Sequence, residues 1–339
     1  MSRTHPLRRR LEHVGIGLTA VLSVAMIGLL AIDALRAAPL VGGVYDQARI
    51  AGWWADHYLG TNVFYHPFMW RSIATGILIG VVAPLVGTYL VHREMALIGE
   101  TLAHTAFAGV AVGLLVSATT GWNGSLMLVA LVVGILGALG VQWLAERTDT
   151  YGDVPIAIML TGSFAVGTLV VSYGRGMTGI AVEDYIFGSI SVVTPSGARL
   201  MAVISVVVVA VTVATYKQLL FITFDEQAAR VARLNVTWYN TLLIVMTAVV
   251  VVGAMQILGV ILVAAMLVVP VAAATQIAGS FRETLYCSIL FGQVAVIGGF
   301  VLSISQGLPT GGSIVVVAIA CYLLAVFASS RSTAAISTH

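Results

Sequence analysis

Ten apolar runs follow one another along this chain, each close to the roughly 20 residues that a helix needs to cross a bilayer. They lie at about 14–35, 68–91, 96–117, 125–145, 155–173 and 198–216, two within 241–278, and then at about 284–305 and 312–328. Backbone in hydrocarbon finds no water, so each run has to pair its own N–H and C=O groups inside one helix. The expectation is an all-α, polytopic membrane protein with roughly eight to ten transmembrane helices. Composition agrees, since 59% hydrophobic and 9% charged residues in a chain of 339 are more apolar than one soluble core can enclose. The stretch 241–278 is too long for a single crossing and holds Gly253, Gly259 and Pro270 as candidate breaks. Two helices joined near 254–259 are expected there, with one full helix and a shorter broken segment as the alternative.

Residues 1–13 are polar and basic, and the run after them is long enough to span and ends without a clear cleavage site, so it reads as a membrane helix rather than a signal peptide. Asp33, near its end, is placed where it can reach the interface. The polar stretch 36–67 carries Trp53, Trp54, Tyr58 and Tyr65, which fit a helix lying on the membrane surface. The chain thus divides into an amino-terminal helix plus extracytoplasmic segment, 1–67, and a membrane core, 68–339. With the amino terminus inside, alternation puts 11 of the 16 basic residues on the inner side, and the bias predicts that both termini are cytoplasmic. The outer stretch 174–197, rich in Gly and Ser with Glu183 and Asp184, suits receiving something from outside.

The largest inner loop, 217–239, is different in kind. Within it, residues 225–234 form a short helical pattern with Asp225 and Glu226 at the start and Arg230 and Arg233 near the end, matching the helix dipole. Ala228, Ala229 and Ala232 leave a small, close-packing surface. A helix this short is unstable alone, so the segment reads as a docking element for a cytoplasmic partner, with an ordinary amphipathic connector as the alternative.

Inside the run that starts near residue 96 stand Glu100 and His104, where a lipid-facing helix would carry neither. Four residues of helix bring the two side chains to within roughly 40° of each other and about 6 Å apart along the axis. An ionisable group in hydrocarbon costs several kcal/mol unless paired or hydrated, so such residues point to function. A carboxylate and a neutral imidazole suit a borderline divalent ion such as Zn²⁺ or Mn²⁺, with water or another helix completing the shell. The alternative is a hydrogen-bonded Glu–His pair that locks two helices. Ala108 and Ala111 continue the face and predict open volume above the pair, while Gly99, Ala103, Ala106, Gly109 and Gly113 form a stripe for close helix approach. The pair is expected nearer the cytoplasmic end of its helix.

Other chemistries lack anchors. The sequence has no GxxxxGK[ST] phosphate loop, no HExxH, no Gly-x-Ser-x-Gly and no Cys-x-x-Cys, so no enzyme active site is expected. Cys287 and Cys321 lie in apolar runs and read as buried small side chains. A net charge of +2 argues for no nucleic-acid partner.

Three stretches taken together resemble the membrane permeases of zinc and manganese ABC importers. REMALIGETLAHTAFAGVAVG at 93–113 is similar to that family's arginine, "ALxGDxLSH" and glycine-bearing helix. FDEQAARVARLNV at 224–236 is similar to its "DEExARxxGxxV" coupling segment. GVILVAAMLVVPVAAATQIA at 259–278, with LPTGGSIVV at 308–316, is similar to its "GxLLVxALLxxPAATA" and "LPxGxxIV" stretches. The resemblance implies the permease fold of metal and vitamin B12 importers and a dimer of two permease copies. It further implies ATP-binding cassette subunits docked on Asp225, Glu226, Ala229, Arg230 and Arg233, and an extracytoplasmic metal-binding protein that delivers the ion. Glu100 and His104 inherit the family's metal-passing carboxylate and histidine. The divalent ion, zinc, manganese or iron, is then cargo, and no permanently bound cofactor is expected. Two positions depart from the pattern. Glu100 replaces an aspartate, and Arg233 or Asn235 stands where the coupling helix usually ends in glycine; Asn235 is the better suited of the two to a left-handed turn. The rival readings are a gradient-driven carrier using Glu100 and His104 as a proton relay, and an ABC permease for a metal chelate.

Overall fold

Long apolar segments punctuated by Pro and Gly fold here as the hydrocarbon rule demands, into helices that close their own backbone bonds. The computed structural model describes residues 6–36, 38–61, 63–122, 124–147, 154–173, 186–189 and 193–336. The helices in chain order are α1 (Pro6–Ala34), α2 (Pro39–Leu59), α3 (Pro67–His92), α4 (Leu97–Thr120), α5 (Leu126–Arg147), α6 (Val154–Tyr173), α7 (Pro195–Phe224), α8 (Glu226–Val231), α9 (Val236–Leu258), α10 (Val263–Thr275), α11 (Phe281–Gln306) and α12 (Thr310–Ile336). Among the described residues nine of these are long and apolar enough to cross a membrane. Proline at the first turn and glycine just past the last mark several boundaries. Pro195 opens α7 behind Thr194, whose hydroxyl caps Gly197 N–H, and Gly121 and Gly307 end α4 and α11 in the left-handed conformation.

The bundle is centred on α3 and α9, the most enclosed of the long helices, whereas α1 and α6 lie at its margin. Helix α4 packs against α5, α6, α9 and α10, and α3 against α7, α9, α10 and α11. Glycine permits the closest of these contacts. A Cβ on Gly87 would collide with the carbonyl oxygen of Leu267, so α3 and α10 meet backbone to backbone. Buried polar groups then tie the layers together: Gln293 Nε2 donates to Ile77 O at 2.7 Å, and the Thr88 and Ser288 hydroxyls lie 3.0 Å apart.

The stretch 241–278 takes the second of its two expected forms, one full helix followed by a shorter one. Only Gly259 breaks it, with φ +77°, because its backbone is pressed so closely against Ile186 and Gly188 that no side chain fits. Gly253 stays helical against Met201, and Pro270 sits inside α10.

The amino-terminal segment forms the two expected helices, with α1 leaning on α3, α7 and α11. Asp33 does not reach out to the interface. Its carboxylate accepts from Arg71 Nε at 2.8 Å and Nη2 at 3.1 Å, and both side chains are nearly covered. Helix packing brings a cation from α3 within reach, so a bidentate pair replaces solvation. Asp33→Asn is expected to loosen α1 from α3 by about 2 kcal/mol, read as a lower thermal midpoint in detergent. Arg36→Ala should be near neutral, since its 3.9 Å contact to Asp33 is exposed.

Asp56, on α2, organises the turn that leads into α3. Its Oδ1 accepts from Thr61 Oγ1 (2.8 Å), Val63 N (2.9 Å) and Phe64 N (3.0 Å), and its Oδ2 from Tyr65 N (2.7 Å). Burial by itself would raise this carboxyl's pKa, but the four hydrogen bonds outweigh it and bring it from 3.8 to about 2. A depressed carboxylate stabilises the fold fully above its unfolded pKa and loses that contribution as pH falls through the folded one. Protection of the Val63, Phe64 and Tyr65 amides against hydrogen exchange, taken relative to the intrinsic rate at each pH, should therefore fall as pH drops from 3.8 towards 2, and Asp56→Asn should abolish that dependence.

Candidate functional site

Glu100 lies in the first turn of α4, at the positive end of that helix's dipole, where a carboxylate is favoured. His104 follows one turn later on the same face. Glu100 Oε1 and His104 Nε2 stand 4.0 Å apart, too far for a hydrogen bond. Both belong to one helix, so the pair does not lock two helices together. Donors about 2.1 Å from a tetrahedral ion are separated by about 3.4 Å, so a small rotamer change brings these two into a shared shell. The Glu100 side chain is 46% exposed and that of His104 14%, which gives an approach from the carboxylate side and a floor at the imidazole.

Neighbouring helices set this orientation. The His104 ring meets Phe164 of α6 edge-on at 4.9 Å, and its Nδ1 is buried without a hydrogen-bond partner. Thr101, buried between the two site residues, donates to Leu97 O and Ile156 O and ties α4 to α6. Gly109 faces Ala130 and Val133, and Gly113 faces Leu126 and Val129, so these two members of the small stripe receive α5. Gly99 instead faces Leu267 of α10. The open volume expected above the pair is absent at Ala108, because Gly167 lets α6 close against Phe107 and Ala108. The end towards Leu97 and Glu100 stays open, with Leu97 43% exposed. Among the described residues no group of three or more His, Cys, Asp and Glu side chains forms a metal-holding cluster.

The docking segment begins where α7 ends. Asp225 caps α8 by accepting from Ala228 N at 2.8 Å, and Glu226 pairs with Arg230 at 2.6 Å. The helix is shorter than the 225–234 pattern and closes in a Schellman motif, with Leu234 N bonded to Ala229 O and Arg233 N to Arg230 O. Arg233 takes the left-handed position, φ +62°. The expectation that Asn235 would do so is corrected: its side chain caps α9 by accepting from Trp238 N, and that duty requires φ −78°. Ala229 turns inward and packs with Ile222 and Val236 in a small cluster separate from the main core. Asp225, Glu226, Arg230 and Arg233 face outward. Sequence reasoning missed the apolar side of this surface, where Phe224 is 64% and Val231 84% exposed. Two bulky apolar residues flanking the charged stretch 225–230 were the available signal. Phe164 carried none, being one apolar residue in an apolar run. Glu183 and Asp184 lie outside the described residues.

Comparison with known proteins places residues 65–329 in a match to the family described as the ABC 3 transport family. The manganese transport system membrane protein MntC of Halalkalibacterium halodurans is 27% identical over 266 residues, covering 78% of this chain and 89% of that protein. A probable metal transport system membrane protein of Treponema pallidum is 31% identical over 261 residues, 77% of this chain and 95% of that one. Among solved structures, PsaBC from Streptococcus pneumoniae in complex with Fab superposes with a TM-score of 0.67 at 29% identity, covering 76% of this chain and 90% of that chain.

Proposed function

The chain belongs to the ABC 3 transport family, and from that premise we propose that it is the permease subunit of an importer that carries a divalent transition metal ion inward. The observation that carries this reading is the location of Glu100 and His104 at the same end of the bundle as segment 225–234. The route from partner to ion is then short. ATP-binding subunits dock on α8 and its exposed apolar flank, and ATP binding there shifts the permease between outward-open and inward-open states. The ion arrives from an extracytoplasmic binding protein and passes between Glu100 Oε1 and His104 Nε2.

Two donors alone do not complete a shell, so water, another helix or a second permease copy supplies the remainder. A transit site gains from this, because a complete shell would hold the ion too tightly to release it. Oxygen and imidazole nitrogen together accept manganese, zinc or iron(II). The metal transport names of the relatives favour a bare ion over a chelate. Both termini are cytoplasmic in this arrangement.

The test is metal uptake in cells lacking their own importers, supplied with this chain, its ATP-binding subunit and its binding protein. Accumulation of manganese or zinc that requires ATP and survives a protonophore supports the proposal. Uptake that a protonophore abolishes and ATP depletion leaves intact would replace it with the gradient-driven carrier.

A further inference from the structure

Arg93 occupies the position just past α3, four residues before α4 begins. Its guanidinium is half-buried and makes no ion pair among the described residues. Three of its nitrogens go instead to neutral acceptors: Nε donates to Thr223 Oγ1 at 2.9 Å, Nη1 to Asn240 Oδ1 at 2.7 Å, and Nη2 to Leu219 O at 3.5 Å. Leu219 and Thr223 form the last turns of α7, and Asn240 lies in the second turn of α9. The chain between them is the docking segment. One side chain therefore holds both ends of that segment.

On its other side Arg93 leads directly into the Glu100 helix. The link 93–96 is a tight turn closed by Arg93 N to Tyr89 O (3.2 Å), Glu94 N to Val91 O (3.1 Å) and Met95 N to Leu90 O (2.9 Å), with Glu94 left-handed at φ +58°. Met95 O then accepts from Ile98 N at 3.2 Å. Little slack remains between the guanidinium and the first turn of α4. The side-chain type matters too. A planar fork with five donors reaches acceptors on two helices at once, whereas an ammonium on a flexible stem does not. Desolvation pulls the Arg93 pKa down and the field of Glu226, across the docking segment, partly restores it, as expected of a cation retained for its geometry.

We infer that Arg93 is the positioning residue that couples movement of the docking segment to the Glu100–His104 helix. The inference rests on the permease reading above and adds to it a specific mechanical connection. When bound subunits shift the ends of α7 and α9, Arg93 moves with Thr223 and Asn240, and the turn 93–96 carries that shift to α4. A residue that merely stapled the bundle would lower hydrolysis and transport together. A coupling residue changes their ratio.

The experiment reconstitutes the complete transporter in vesicles and measures metal moved and ATP hydrolysed in the same sample, for wild type, Arg93→Lys, Asn240→Ala and the double variant. The expected result is ATP hydrolysis within about twofold of wild type and metal moved per ATP lower by roughly tenfold in each single variant. The double variant should be no worse than Arg93→Lys alone, because both changes break one contact. An unchanged ratio in Asn240→Ala, which leaves Arg93 intact and so covers any failure of Arg93→Lys to assemble, overturns the inference. So does a proportional fall of transport and hydrolysis. If the wild type itself moves no metal under ATP, the permease reading falls first and this inference with it.

Discussion

Replacing Glu100 by Gln or His104 by Ala is expected to lower metal uptake about 100-fold or more, with folding and partner assembly preserved. Gln keeps the size of the side chain but offers a neutral amide, which cannot balance a dication where little water is present. Ala removes the only imidazole on the face. Neither change should cost much stability. Glu100 is half-exposed and 4.0 Å from His104, and His104 Nδ1 has no partner, so truncation leaves no buried group newly bare. The thermal midpoint should correspond to a loss of no more than about 1 kcal/mol. Glu100→Asp is the informative companion. It withdraws the carboxylate by about a methylene and should retain uptake while changing the preference between Mn²⁺ and Zn²⁺ in competition. Metal content of loaded cells or vesicles measures all three, and full uptake in both Gln and Ala variants would remove the pair from the ion path.

Ala229→Glu should abolish ATP-driven uptake while leaving the membrane bundle intact. Ala229 is fully buried against Ile222 and Val236, apolar side chains that offer a carboxylate no hydrogen bond. Burying it unpaired costs several kcal/mol, more than a helix of six residues can resist. The segment 225–234 is then expected to unfold locally, because its apolar cluster is separate from the main core. Loss of co-purification with the ATP-binding subunit, together with an unchanged melting transition of the permease itself, is the predicted pair of results. Val231→Ser should weaken docking without unfolding the segment, since Val231 faces outward and supports nothing within the chain.

Several elements were legible from residue order alone. Asp225 reads as a helix start and caps α8, whereas Asn235, expected as the turn residue, caps α9 instead. Glu100 and His104 were visible because an acid and an imidazole inside an apolar run admit few explanations, and their four-residue spacing settles that they share a face. Ala229 shows the limit. An alanine in a polar, six-residue helix reads as surface, and only the fold of α7 and α9 around it makes it the segment's inner contact. Arg93 was visible as part of a motif, but its acceptors lie more than 120 residues away in the chain.

What the sequence by itself determined was the run of crossings, most of their boundaries and the end of the bundle that carries the Glu–His pair. Hydrocarbon dictates these, since an apolar stretch of sufficient length has only the helix in which to satisfy its backbone. The tertiary structure alone decided which side of each helix is enclosed. Lipid is as apolar as a protein core, so helices such as α4 are apolar around nearly their whole circumference and no polar face announces the inward side. The contacts are chosen by size and shape instead. Gly167 draws α6 over Ala108 and closes the space above the site, Gly109 draws in α5, and the Asp33–Arg71 pair anchors α1. Contacts of this kind depend on two distant segments meeting, and that meeting is a property of the packed bundle.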